Sequence, residues 1–172
     1  MDKKKRGALI VAGAMALLAA AIAVLAYLNA PKDGIERGTL AVVRGEETIA
    51  RLTLAQIREM PSVSVEKEIV SSSHEGDAGL FTGVPLRAVL EAAQPGLLEG
   101  ANQIVARAED AFVTAYTAKE VQESDAILVV YEKDGAPLGS REDGGTGPLR
   151  ILITDDPFGN RSTKYLAQIE VR

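Results

Sequence analysis

Two short segments near the C-terminus combine glycine, proline and basic side chains, which are residue types that can hold an anion. The first reads GTGPLRILI and contains Gly147, Pro148 and Arg150. The second, GNRSTKYL, adds Arg161 and Lys164. Glycine lets backbone N–H groups approach a ligand, and proline fixes how the chain enters a strand. Arginine offers a planar fork of donors and lysine a point charge, so the pattern predicts a site for phosphate or carboxylate.

The same basic residues have a second interpretation, in which they pair with carboxylates of the chain itself. Residues 31–172 carry 15 Lys and Arg against 23 Asp and Glu, so acidic partners are abundant. Asp155 and Asp156 lie between the two segments and are candidates to pair with Arg150 and Lys164. If the second segment pairs antiparallel with the LRILIT strand, the three cations are expected near one end of the sheet.

The only histidine, His74, lies in the polar segment SSSHEGD. A serine beside a histidine suggests a hydrolase, but sequence neighbours rarely have the mutual geometry of a nucleophile and its base, and no third member is evident. Glu75 and Asp77 are available as metal ligands and are equally suited to a hydrated loop. We expect a surface loop here.

The composition excludes several classes of function. The chain has no cysteine, so it cannot supply a catalytic thiol, a zinc thiolate or an iron–sulfur ligand. The acidic balance of the outer domain disfavours nucleic acid and anionic lipid head groups as partners. Aromatic residues make up 4% of the chain and tryptophan is absent, which argues against a stacking platform for bases or sugars.

The N-terminus has the pattern of a membrane anchor. Residues 1–6 are basic and are expected to stay in the cytoplasm, and residues 7–28 carry no charge. A helix of that length is about 33 Å long, close to the thickness of a bilayer. Residues 29–38 read as a linker. These features predict a single-pass protein of the cell membrane with its C-terminal domain outside. A cleaved signal peptide is the alternative, although the LNA-P sequence is a poor cleavage site.

Residues 39–172 are predicted to form one α+β domain with a mixed sheet and short helices. TLAVV and TIARLTL flank a turn and indicate a hairpin, and Thr53 with Gln56 forms a capping box for a short helix. SVSVEKEIV alternates apolar residues, which predicts a half-buried strand with Val63 on its inner face. PLRAVLEAA has helical periodicity, and AILVVY is expected to be a central strand buried on both faces. QIVARA, AFVTAYT, LRILIT and LAQIEV read as further strands.

The order of these segments resembles the oxidoreductase molybdopterin-binding domain, the fold of sulfite oxidase and its bacterial relatives. The resemblance is carried by GLFTGVPLRAVLEAA, EDAFVTAYTAKEV, DAILVVYEKDGAPL and GPLRILITDDPFGNRSTKYLAQIEV. It covers nearly all of residues 39–172. In that family a Pro-x-Arg strand and a later lysine help to hold the polar and phosphate groups of a molybdopterin cofactor. The resemblance implies these roles for Pro148, Arg150 and Lys164, with Gly147 and Arg161 beside them.

The sequence departs from the family at the metal. Members that carry out redox chemistry bind molybdenum through a cysteine near the position of EIVSSSHEG, where Ser71 and Ser72 are nearest and His74 follows. A hydroxyl is a far weaker ligand for a soft metal than a thiolate. Sulfite oxidation through cysteine-ligated molybdenum is therefore not expected.

Two hypotheses remain open at the level of sequence. In the first, the domain binds a pterin-type molybdenum cofactor without a cysteine ligand and acts within an oxidoreductase system. In the second, it is a non-catalytic binding or accessory module. Its pocket takes a different anionic ligand or is filled by side chains, and its surface docks a redox or accessory protein partner.

Overall fold

The computed structural model describes residues 13–25, 38–70 and 77–172. The chain divides into two compact units, Met1–Gly34 and Ile35–Arg172. In the first unit, residues 13–25 form a helix, α1, and all of them are exposed. Of the described residues, no helix is long and apolar enough to span a bilayer. Both ends of the predicted anchor, residues 7–28, lie outside the described residues, so the anchor stays a prediction.

The second unit combines strands with short helices, as the sequence predicts. Its described part has the elements β1 (Thr39–Arg44), β2 (Glu47–Thr53), α2 (Leu54–Arg58), β3 (Val63–Ile69), β4 (Asp77–Pro85), α3 (Leu86–Ala93), β5 (Gln103–Ala108), β6 (Val113–Thr117), α4 (Ala118–Glu123), β7 (Ile127–Lys133), β8 (Ala136–Pro137), β9 (Arg150–Ile153) and β10 (Leu166–Val171), with a 3-10 turn at Gly159–Arg161.

These strands form two sheets. The first, which we call the β10 sheet, has the strand order β2-β1-β10-β5-β6. It is mixed, because β1 and β10 are parallel while the other pairs are antiparallel. In the second, the β7 sheet, β3 pairs with β4 and β4 with β7, and β8 and β9 both pair with β7. All of its strand pairs are antiparallel.

The strand β7 separates two hydrophobic clusters. Ile127, Val129 and Tyr131 belong to a large cluster that extends to the β10 sheet and α3. Leu128 and Val130, on the opposite face, belong to a small cluster. The prediction that AILVVY is buried on both faces is therefore confirmed. The small cluster is completed by Ile69, Phe81, Leu138 and Leu152.

Several local predictions are confirmed. The first two strands form an antiparallel hairpin. The Thr53 side chain accepts a hydrogen bond from the Gln56 backbone N–H, and the Gln56 side chain accepts one from the Thr53 N–H, which completes the capping box. A similar cap begins α4, where the Thr117 hydroxyl accepts from the N–H of Glu120.

One expectation needs correction. Val63 is 44% exposed, whereas Val65 is half-buried and Ile69 is buried, so the inner face of β3 is covered only toward its C-terminal end. The LRILIT and LAQIEV strands do not pair with each other: β9 pairs with β7, whereas β10 lies between β1 and β5. The GNRSTKYL segment does meet LRILIT antiparallel over a short stretch, through the bridge between Ile151 and Thr163 and a hydrogen bond of 2.8 Å from the Leu166 N–H to the Leu149 carbonyl.

Position 83 in β4 has no room for a side chain, so it requires glycine. It follows a shift in register between β4 and β7, and a Cβ at this position would lie 2.6 Å from the backbone oxygen of Val129. Because that atom belongs to the central strand, it cannot move aside without disturbing the sheet. We expect Gly83→Ala to lower the free energy of unfolding by about 1–3 kcal/mol, measured by urea denaturation of the full chain.

The matched control is Ala78→Ser on the same strand, which adds one heavy atom at an exposed residue. Its effect should stay within about 0.5 kcal/mol. Equal losses for the two variants would contradict the steric account of Gly83.

Candidate functional site

Arg150 is the most deeply buried charged side chain of the described residues. It begins β9 and is 2% exposed. Its Nη1 donates a hydrogen bond of 2.5 Å to Oδ2 of Asp77. Its guanidinium carbon lies 5.5 Å from the centre of the Phe81 ring, within the range of a cation–π contact. The Nε atom is buried and has no hydrogen-bond partner.

Asp77 is shared between Arg150 and a second cation, Lys133. The Lys133 ammonium donates to the other carboxylate oxygen, Oδ1, at 2.6 Å. It also lies 5.5 Å from the centre of the Phe81 ring. The four residues Asp77, Phe81, Lys133 and Arg150 therefore form one unit, which we call the Asp77 cluster.

Strand register brings the members of the Asp77 cluster together. Phe81 is opposite Lys133 in the pairing of β4 with β7, and Arg150 is opposite Val130 in the pairing of β7 with β9. Asp77 lies four residues before Phe81 on β4, and residues two or four apart on a strand share a face. The cluster is thus assembled from the two strands on either side of β7 and from the end of β7 itself.

Electrostatics keep Asp77 ionised. Burial by itself raises the pKa of this carboxyl, because it disfavours the charged form. The hydrogen bonds from Lys133 and Arg150, together with their positive charges, act in the opposite direction and outweigh it. The pKa of Asp77 therefore lies below its usual value.

The glycines before Arg150 approach the chain itself rather than open space. A Cβ on Gly145 would lie 2.3 Å from the backbone oxygen of Leu138, and one on Gly147 would lie 2.6 Å from the Leu138 Cβ. The N–H of Gly147 donates to the Gly139 carbonyl at 2.9 Å, and that of Gly145 donates to the Ser140 carbonyl at 2.8 Å. Pro148 follows a cis peptide bond. The N–H groups of these two glycines are therefore already bonded within the chain.

Arg161 lies in a different environment from Arg150. Its Nη2 donates to Oε2 of Glu120 at 2.8 Å, and its guanidinium carbon is 5.1 Å from the centre of the Tyr116 ring. The hydrogen bond to Glu120 holds the pKa of Arg161 above its usual range. The adjoining cavity of about 440 Å³ is also lined by Asp155 and Asp156. With three carboxylates around one guanidinium, this cavity disfavours an anion.

Lys164 has different surroundings from both arginines. It is exposed and forms no ion pair among the described residues. With Asp110, Phe112 and Tyr165 it lines a cavity of about 230 Å³. The bridge between Ile151 and Thr163 brings the backbones near Arg150 and Lys164 together, but their side chains contact different groups. The cofactor-binding roles of Arg150, Lys164 and Arg161 stay predictions.

The other predicted site residues, Ser71, Ser72 and His74, lie outside the described residues.

The ion pairing expected from the excess of carboxylates does occur, but Asp155 and Asp156 are not the partners. Arg150 pairs with Asp77, whereas Asp155 and Asp156 accept hydrogen bonds from their own loop.

Sequence reasoning missed Lys133 and did not connect Asp77 with Arg150. The contact joins residues 73 positions apart. One signal was available in the sequence. Asp77, Gly79 and Phe81 are every second residue of one strand, so they share a face. Lys133 is the last residue of the strand that begins with the buried apolar run.

The lowered pKa of Asp77 predicts how the stability of the fold depends on pH. Because the folded-state pKa lies below the value of about 3.9 in an unfolded chain, this charge stabilises the fold fully above about pH 4. That stabilisation is lost as the pH falls through the folded-state value. We expect Asp77→Asn to lower the free energy of unfolding at neutral pH by roughly 3 kcal/mol. The variant should also lose part of the acid dependence, measured by urea denaturation over a pH series.

Asp125→Asn is the matched control, because Asp125 pairs with Arg87 at 2.9 Å while the two side chains are 58% and 48% exposed. Such a pair contributes at most about 1 kcal/mol. If Asp77→Asn cost no more than this control, Asp77 would not be the charge partner that the buried guanidinium requires.

Comparison with known proteins agrees with this fold. The solved structure of the sulfane dehydrogenase SoxCD from Paracoccus pantotrophus superposes with a TM-score of 0.60 and 14% sequence identity. The match covers 77% of this chain and 37% of that chain, and at this identity it shows the fold alone. No curated protein matches the chain. The sequence profile of the oxidoreductase molybdopterin binding domain matches residues 28–172, well over half of the protein, and the chain therefore belongs to that family.

Proposed function

We propose that this protein is a non-catalytic accessory member of its family, which keeps the molybdopterin-binding fold without cysteine-ligated molybdenum. It is a membrane-tethered domain outside the cytoplasm and docks a redox protein of an oxidoreductase system. The observation that carries this proposal is the state of Arg150, which is buried and bonded to Asp77. The arginine that the family uses for a cofactor here serves the chain's own carboxylate.

The described residues do not fit the cofactor as the family holds it. Arg150 and Lys164 contact different groups of the chain, which argues against one shared cradle. The N–H groups of Gly145 and Gly147 are bonded to carbonyls of the chain. Its 172 residues include no cysteine, so the chain offers no thiolate to a metal.

One observation favours a second candidate, a cysteine-free cofactor site. The Nε of Arg150 is buried without a hydrogen-bond acceptor. A donor left over in this way is the kind of group that a bound ligand satisfies. In this alternative the protein would take part in redox chemistry, with Lys164 as a further contact to phosphate.

Metal and pterin content separates the two candidates. We expect the full chain, purified from a host that makes molybdopterin, to carry far less than one molybdenum or tungsten per chain by mass spectrometry, and no pterin fluorescence after oxidation. A cysteine-containing member of the family from the same host is the positive control.

Near-stoichiometric metal and pterin in this protein, lost in Arg150→Ala but kept in Arg87→Ala, would overturn the accessory proposal. Arg87 is a suitable control because it forms an exposed ion pair remote in sequence from the Pro-x-Arg strand.

The membrane tether is proposed from the basic residues 1–6 and the uncharged residues 7–28. We expect the protein to stay with membranes after alkaline carbonate extraction, and the C-terminal domain to be digested by protease added to intact spheroplasts. Deletion of residues 1–28 should leave the protein inside the cell. Release of the full chain by carbonate, or protection from the protease, would refute the tether or its orientation.

A further inference from the structure

We propose that the Asp77 carboxylate acts as an intramolecular anion that fills a carboxylate-binding site made by Arg150, Lys133 and Phe81. Removal of this carboxylate opens the site to a small external carboxylate such as formate. The inference deepens the proposed function and rests on its account of Arg150 as a side chain satisfied within the chain.

The contacts of Asp77 are those of a bound ligand. Its two oxygens accept hydrogen bonds from different cations, one from Arg150 at 2.5 Å and one from Lys133 at 2.6 Å. The two donors come from different strands, β9 and β7, and Asp77 comes from a third, β4. Phe81 packs against both cations, because the centre of its ring lies 5.5 Å from the Lys133 ammonium and 5.5 Å from the Arg150 guanidinium carbon. A carboxylate of an external molecule would meet the same donors.

Charge balance makes the site attractive to an anion. Arg150 and Lys133 supply two positive charges, and Asp77 supplies one negative charge. Neither cation forms another ion pair among the described residues. The Nε of Arg150 also remains without an acceptor. Asp134 also lies beside the Lys133 stem, and its Oδ1 accepts a hydrogen bond from the Leu80 N–H. Loss of the Asp77 carboxylate would therefore leave the buried Arg150 without its ion-pair partner, which is unfavourable until another anion replaces it.

Solvent reaches the site beside Asp77 and Lys133. The Asp77 and Lys133 side chains are 28% and 31% exposed, whereas Arg150 is 2% exposed. Gly79 lies between Asp77 and Phe81 on the same face of β4, and a Cβ there would lie 2.5 Å from Cε of Lys133 and 2.8 Å from Oδ2 of Asp134. The lysine stem thus passes over a residue without a side chain, which lets its ammonium reach the carboxylate.

Chemical rescue tests the proposal. Asp77→Ala removes a group with the size and charge of formate, so formate should bind in its place. We expect sodium formate to raise the thermal midpoint of Asp77→Ala in proportion to the logarithm of its concentration. Titration calorimetry should show binding at least roughly tenfold tighter than to the unmodified protein, as expected for hydrogen bonds to charged groups. Sodium chloride at equal ionic strength is the salt control.

Two variants make the test specific. Asp125→Ala removes a carboxylate from an exposed ion pair, and formate should not stabilise it beyond the unmodified protein. In Asp77→Ala combined with Lys133→Met the formate effect should fall sharply, because one of the two donors is lost. Formate stabilisation equal in Asp77→Ala and Asp125→Ala would overturn the proposal.

If Asp77→Ala does not fold in chloride, the measurement becomes refolding from urea. Recovery of the native circular dichroism spectrum in formate, but not in chloride, supports the site. No recovery in either salt overturns it. Because these readouts measure neither metal nor pterin, the inference and the accessory function can fail independently.

Discussion

The β7 sheet is built around one buried guanidinium, that of Arg150. Arg150 begins β9, and the register of β9 against β7 places it on the face of the small hydrophobic cluster. An unpaired charge there would be strongly destabilising, so a carboxylate has to reach it. Asp77 does so from β4, on the other side of β7, and Lys133 joins from the end of β7 itself. The strand order and the charge cluster therefore support each other.

In this arrangement the chain keeps the fold of its family, while the basic side chains make contacts of their own. The basic residues that first suggest an anion site lie in three environments. Arg150 is bonded to Asp77, Arg161 to Glu120, and Lys164 is exposed beside a separate cavity. A family likeness fixes the path of the backbone through these positions, but function depends on what each side chain contacts. Here two of the three cations form ion pairs within the chain.

Much of the fold follows from local patterns in the sequence. The uninterrupted apolar run of β7 indicates burial on both faces, and the Thr53 capping box marks the start of a helix. The pairing of distant segments does not follow from such patterns. LRILIT and LAQIEV follow each other along the chain, yet they belong to different sheets. The partner of Arg150 is likewise decided by tertiary register, since Asp77 lies 73 positions away.

The most direct measurement is the coupling energy between Asp77 and Arg150, from a double-mutant cycle of Asp77→Asn and Arg150→Met in urea denaturation. If the two side chains satisfy each other, either single change leaves the other group without its partner. The coupling should then exceed about 1 kcal/mol, beyond the roughly 0.5 kcal/mol of independent sites. The exposed pair Arg87 and Asp125 should stay within that smaller range. Additive effects at Asp77 and Arg150 would contradict the account, because Arg150 would then be free to serve an external anion.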